Sequence, residues 1–157
     1  MGTSGMETVV LEERMSNNMR DYSRAFQSAE SALKNAEAWL ILQTTLPIVS
    51  GDGSTRVWSE NAMAPSETDG KYWWDHADIT AAWWATNADS IVGVAGVAAQ
   101  PAYIIEQYRI VDNENSLSIG SGEVPRVRAF HRITARGVGL TGTTVVQVQS
   151  TFVQSYN

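Results

Sequence analysis

Residues 7–42, ETVVLEERMSNNMRDYSRAFQSAESALKNAEAWLIL, decide the fold. Apolar side chains recur at Leu11, Met15, Met19, Tyr22, Phe26, Ala29, Leu33, Ala36 and Leu40. The spacing alternates between four and three, which keeps them on one face of a 3.6-residue helix. Neither Gly nor Pro interrupts the run. At 1.5 Å per residue the helix would be roughly 50 Å long, against an average of about three turns in globular proteins. A helix of this length either pairs with another helix or continues into a segment outside this sequence.

Working outward, residues 1–6 (MGTSGM) read as an expression-vector scar, which leaves 7–157 as one domain. Within it, 7–42 is the amphipathic helix, 43–101 connects helix to sheet, and 102–157 is the sheet. Pro47 and the β-branched Thr44 and Thr45 end the helix. Glu30 and Lys34 form an i, i+4 pair in the favourable order. Glu12, Glu13, Arg20, Asp21, Arg24 and Glu37 are expected mostly off the apolar stripe. The alanines Ala25, Ala29, Ala32 and Ala36 permit close approach, so the sheet is expected against this half of the helix. Tyr22, Phe26, Ala29, Leu33, Ala36 and Leu40 are assigned to the helix–sheet core.

The connecting region is loop-like, with turn signals at residues 51–54 and 64–66 and a short extended piece at Val57 and Trp58. Asp75 or Asp78 is expected to cap a short helix nearby. The glycine-broken apolar run 91–99 reads as a covered loop. The last third is β-forming. Residues 103–111 are rich in Tyr, Ile and Val, 112–115 form a turn, and 117–119 read as a short strand. Residues 126–136 alternate, with Val127, Ala129, His131, Ile133 and Ala135 on one face. A glycine-rich link (137–142) turns the chain into a returning strand, 143–153, carrying Val146, Val148 and Phe152 on one face. Adjacent strands with short links imply an antiparallel sheet of about four strands. One face must be buried, and the long helix is the large apolar partner at hand, giving an α+β fold.

A net charge of −6 argues against nucleic acid as a partner. With no cysteine, disulfides, thiol catalysis and Cys-ligated zinc are excluded. No stretch approaches the roughly 20 apolar residues of a membrane span, and none has the form of a signal peptide. There is no nucleophile elbow, Walker loop or dinucleotide fingerprint, so neither an enzyme nor a cofactor is expected. Asp75, His76 and Asp78 resemble a cation or acid/base site, but on a helix His76 points away from the two carboxylates; the plainer reading is a polar turn. Asp112, Asn113, Glu114 and Asn115 supply oxygens without EF-hand spacing and read more simply as a turn. His131 on an apolar strand face reads as a satisfied core histidine. Trp73, Trp74, Trp83 and Trp84, with Arg128 and Arg132 from a strand face holding four arginines, form the candidate partner surface. A carbohydrate-binding module built on the tryptophans is the alternative. The plainer reading is that the rings roof over the sheet edge.

The segments 11–21 (LEERMSNNMRD) and 25–33 (AFQSAESAL), with 132–137 (RITARG) and 149–152 (QSTF), resemble PilX-type minor pilins of type IV pili. Together they cover about a third of the chain. The resemblance implies a pilin-like fold whose helix is preceded by an apolar half anchored in the inner membrane. It implies a non-catalytic subunit that helps prime pilus assembly and sits at or near the pilus tip. Its partners would be other minor pilins and a tip adhesin, with no small-molecule substrate. The head would be periplasmic before assembly and extracellular afterwards. On this resemblance Val9, Val10, Leu11, Met15 and Met19 form the filament-core helix face. Some relatives carry a C-terminal disulfide, which this cysteine-free chain replaces by packing.

Overall fold

The computed structural model describes residues 3–63, 71–112 and 127–156. Helix α1 runs without a break over Thr3–Ile41, 39 residues, or about 58 Å at helical rise. The helix thus begins at Thr3, within residues 1–6. The last turn tightens, with Leu42 N–H donating to the Trp39 carbonyl and Gln43 N–H to that of Leu40, before the chain reaches Pro47.

The sheet is larger and less regular than expected. Its strands are β1 (Val49–Ser50), β2 (Val57–Ser59), β3 (Asp89–Ser90), β4 (Ala102–Asp112), β5 (Val127–Val138) and β6 (Val145–Tyr156). Among the described residues the order is β1-β2-β4-β5-β6, with β3 also on β4. The pairs β3–β4, β4–β5 and β5–β6 are antiparallel, as expected of the last third. In contrast, β1–β2 and β2–β4 are parallel, so the sheet is mixed and not purely antiparallel. The extra strands come from the connecting region and have only two or three residues, too few for alternation to show in the sequence. The 91–99 loop is mostly exposed instead of covered; Gly93 and Gly96 turn it at positive φ, and the Gln100 side chain bonds both backbone groups of Val94. The expected strand at 117–119, residues 64–66, Arg126 and the turn at 113–115 lie outside the described residues.

Helix and sheet meet through small residues. Ala25, Ala29, Ala32 and Ala36 are fully buried, and Ala32 and Ala36 pack, with Leu40, on the helix-facing side chains Tyr103, Ile105, Ile133 and Ala135. At Gly137 of β5 the backbones touch: a Cβ there would sit within the van der Waals envelope of the Ala25 carbonyl oxygen and the Ala29 nitrogen. Such contact is possible only where neither side has bulk. This explains one correction. Tyr22 and Phe26, assigned to the core, are 57% and 39% exposed, while Leu33 is half-buried. The sheet sits on the alanine row, about 70° round the helix from the mean direction of the larger apolar side chains at 100° per residue.

The same rotation buries Asp21, against the expectation of a solvated flank. Its carboxylate accepts from Thr141 N–H at 3.1 Å and Thr141 Oγ1 at 2.6 Å, latching the β5–β6 loop to the helix. Gly139 makes room for it, since a Cβ there would lie 2.5 Å from Asp21 Oδ1. The Thr141 and Thr144 hydroxyls hold the Asp21 carboxyl down at about 2. His131, on the helix side of β5, is fully buried, but neither ring nitrogen has a hydrogen-bond partner among the described residues. It is therefore not the satisfied histidine expected, and burial pushes it down to about 4.

Both groups bind fewer protons folded than unfolded, so stability must fall with acid. For His131 the loss starts below its ordinary 6.5 and is complete near 4; for Asp21 it starts near 3.8 and is complete near 2. Thermal melting against pH is expected to show two successive declines. His131→Phe removes the upper one and Asp21→Asn flattens the lower one. A wild-type melting temperature that stays constant from pH 6.5 to pH 4 would contradict the assignment of His131.

Candidate functional site

The opposite face of the sheet carries a second core. Trp58, Met63, Trp73, Trp84, Ala102 and Ile104 are buried together, with Trp74 and Trp83 half-buried at the margin. A 3-10 turn (Trp73–Asp75) and helix α2 (Ala81–Asn87) deliver these rings. The cap of α2 is Thr80, whose hydroxyl accepts from Trp83 N–H, and neither Asp75 nor Asp78 serves. Asp75 ends the 3-10 turn, and Asp78 lies in the turn that follows it, before the helix starts.

This removes much of the candidate partner surface. Trp73 and Trp84 are 0% and 2% exposed. Trp73 donates through Nε1 to Glu106 Oε2 at 3.1 Å. Arg132, expected to face a partner, is directly opposite Glu106 across β4–β5 and engages it through Nε at 2.9 Å and Nη2 at 3.0 Å. Its guanidinium also lies over the rings of Trp74, 4.7 Å away, and Tyr108, 5.6 Å away. Tyr72 stacks on Trp74 at 4.6 Å. Glu106 is fully buried, and a buried carboxylate needs such a bidentate partner and a third donor to be tolerated. The network fastens the tryptophan layer to the sheet. Arg128 alone of the named arginine–tryptophan set is exposed. Sugar stacking needs an uncovered ring face, which Trp73 and Trp84 do not offer. Among the described residues, no group of three or more His, Asp or Glu is placed to hold a metal ion.

The apolar face of α1 behaves differently. Every described side chain from residue 8 to residue 20 is exposed, because the helix projects past the sheet, which first meets it at Asp21. On this free stretch Val9, Val10, Leu11, Met15 and Met19 all present large apolar groups to solvent, Met15 and Met19 at 66% and 72% exposure. Leu11, Met15, Met19, Tyr22 and Phe26 follow one another at spacings of four and three, and so form a continuous row. An exposed apolar row of this length marks an interaction site. Among the described residues no helix is long and apolar enough to cross a membrane. Periodicity found this row; it did not find Glu106, an acid inside an apolar strand whose partner becomes apparent only with the β4–β5 register.

Comparison with protein families bears on what the row is for. The family model described as type IV pilus assembly protein PilX C-term matches residues 50–154, which takes in β2 to β5 and nearly all of β6. The PilX N-terminal model matches residues 1–34, most of α1 including its free stretch. Comparisons with curated proteins and with solved structures gave no match. A long helix on a sheet, with matches to both parts of the family over most of the chain, places this chain in the PilX family of type IV pilus assembly proteins.

Proposed function

We propose that this protein is a non-catalytic structural subunit that works through the free half of α1. Val9, Val10, Leu11, Met15 and Met19 pack against the corresponding helices of other minor pilins, and this packing helps prime pilus assembly at what becomes the tip. The head stands in the periplasm before assembly, anchored at the inner membrane through an apolar continuation of the helix, and outside the cell afterwards. A tip adhesin is the further partner.

The observation that carries this reading is the unburied apolar row on a helix that projects beyond its own sheet. Each Leu or Met taken out of water by a neighbouring helix contributes about 1.5–3 kcal/mol before association costs. Three or four such residues outweigh any single loop contact on the head.

Met15→Lys combined with Met19→Lys tests it. Both positions are exposed, so the unfolding free energy of the purified protein should stay within about 0.5 kcal/mol of wild type. In cells carrying the full-length gene, surface pili counted by electron microscopy should fall to the level of the gene deletion. Wild-type pili from the double variant, where the deletion is bald, would refute the reading.

A further inference from the structure

The helix is covered on one flank only, and the sheet ends beneath the bare one. Tyr22, Phe26, Leu33 and Glu37 share a flank of α1 by their i, i+4, i+11 and i+15 spacing. Glu37 accepts from Ser150 of β6, so this flank overhangs β6. The other flank is occupied, with Trp39 under Arg56 beside β2 and Arg24 next to Gly96. Strand β6 is an outer strand of the sheet. Its helix-side residues Val148, Ser150 and Phe152 are only half-buried, and Tyr22 and Phe26 on the same flank of the helix remain exposed.

The edge itself is unguarded. The twelve residues VVQVQSTFVQSY contain no charge and no proline. Natural sheets block an open edge with lysine, proline, a bulge or a short strand, and β6 has none of these: its pairing with β5 is unbroken from Val127↔Tyr156 to Val138↔Val145. Among the described residues nothing pairs with its outer side.

We infer that β6 accepts an added strand, an extended segment of another subunit of the same pilus whose alternate side chains are apolar and lie under Tyr22, Phe26 and Leu33. Main-chain hydrogen bonds supply the attachment and the groove between β6 and the overhanging helix reads every second residue. A charged segment has nothing to pair with along β6. A second copy fits less well, because joining two β6 edges about a two-fold axis would point the two α1 helices in opposite directions, whereas packing among sibling helices needs them to point the same way. Only the source of the strand rests on the pilus reading; the edge and the bare flank are features of this chain.

Hydrogen–deuterium exchange on the purified protein tests this, with the soluble portion of each other minor pilin and of the tip adhesin added in turn. One of them is expected to slow exchange across residues 145–153 by about tenfold or more. Gln147→Lys with Thr151→Lys, both on the exposed row of β6, should abolish that protection. Each lysine lies opposite an arginine of β5, so a modest drop in melting temperature is expected, with the folded state retained by circular dichroism. Protection by no partner, protection confined to α1, protection that the double lysine variant keeps, or protection that grows with the protein's own concentration would each overturn the inference. The readout uses purified proteins and is independent of pilus counts, so either reading can fail alone.

Discussion

Gly137→Ala is expected to destabilise the protein by about 3 kcal/mol, at the upper end of what overpacking costs. For a chain of this size that lowers the melting temperature by roughly 6–12 °C. The reason is direct contact between the β5 and α1 backbones at this point, where a Cβ would overlap the Ala25 carbonyl oxygen and the Ala29 nitrogen. Backbone atoms cannot swing aside as a side chain would, so the helix must lift off the sheet. Lifting it strains the neighbouring Asp21–Thr141 bonds and opens the alanine row. Gly93→Ala is the control. Its φ is 87° but nothing lies within 4 Å of an added Cβ, so only backbone strain of about 1–2 kcal/mol applies. Equal effects at the two sites, or no shift at Gly137, would show that helix and strand are not in backbone contact. Differential scanning calorimetry reads both variants.

Arg132→Ala should be comparably severe, about 3–5 kcal/mol, because it leaves the fully buried Glu106 carboxylate without its countercharge. It also takes the cation from above Trp74 and Tyr108, worth about 0.5–1 kcal/mol at partly exposed rings. Near-UV circular dichroism should change with stability, since Trp73 donates to the same carboxylate. The informative comparison is the double variant Arg132→Ala with Glu106→Leu. Removing both charges removes the uncompensated one, so the double variant is expected to be more stable than Arg132→Ala alone. Additive losses in urea denaturation would show that the pair is not coupled.

These two sites show which parts of the fold a linear reading reaches. The helix was legible because nine apolar residues kept one period over eight turns, and β5 and β6 because alternation persists over about a dozen residues each. Which side of the helix takes the sheet was only half legible. The alanine row was visible, but Tyr22 and Phe26 look like core residues until Gly137 shows that the interface has no room for them. Asp21 is a charge in sequence terms and a latch in three dimensions, because its partners Thr141 and Thr144 lie some 120 residues away. The tryptophan layer was legible in its plainer form, as a roof over the sheet. The Glu106–Arg132 pair was not, since it depends on the register of two strands joined by a long intervening segment. The exposed stretch of α1 was legible as periodicity: Leu11, Met15 and Met19 were expected on one face, and the sheet does not reach them.

The division of α1 into a half that holds the head and a half left bare for neighbours is tested most directly by photo-crosslinking in assembled pili. A photoreactive residue is placed singly along the helix of the full-length protein. Leu11, Met15 and Met19 should link to other pilin subunits, while Glu13, Ser16 and Arg20, equally exposed but off the row, should not. Links at all six positions, or at none of the three apolar ones, would contradict the division.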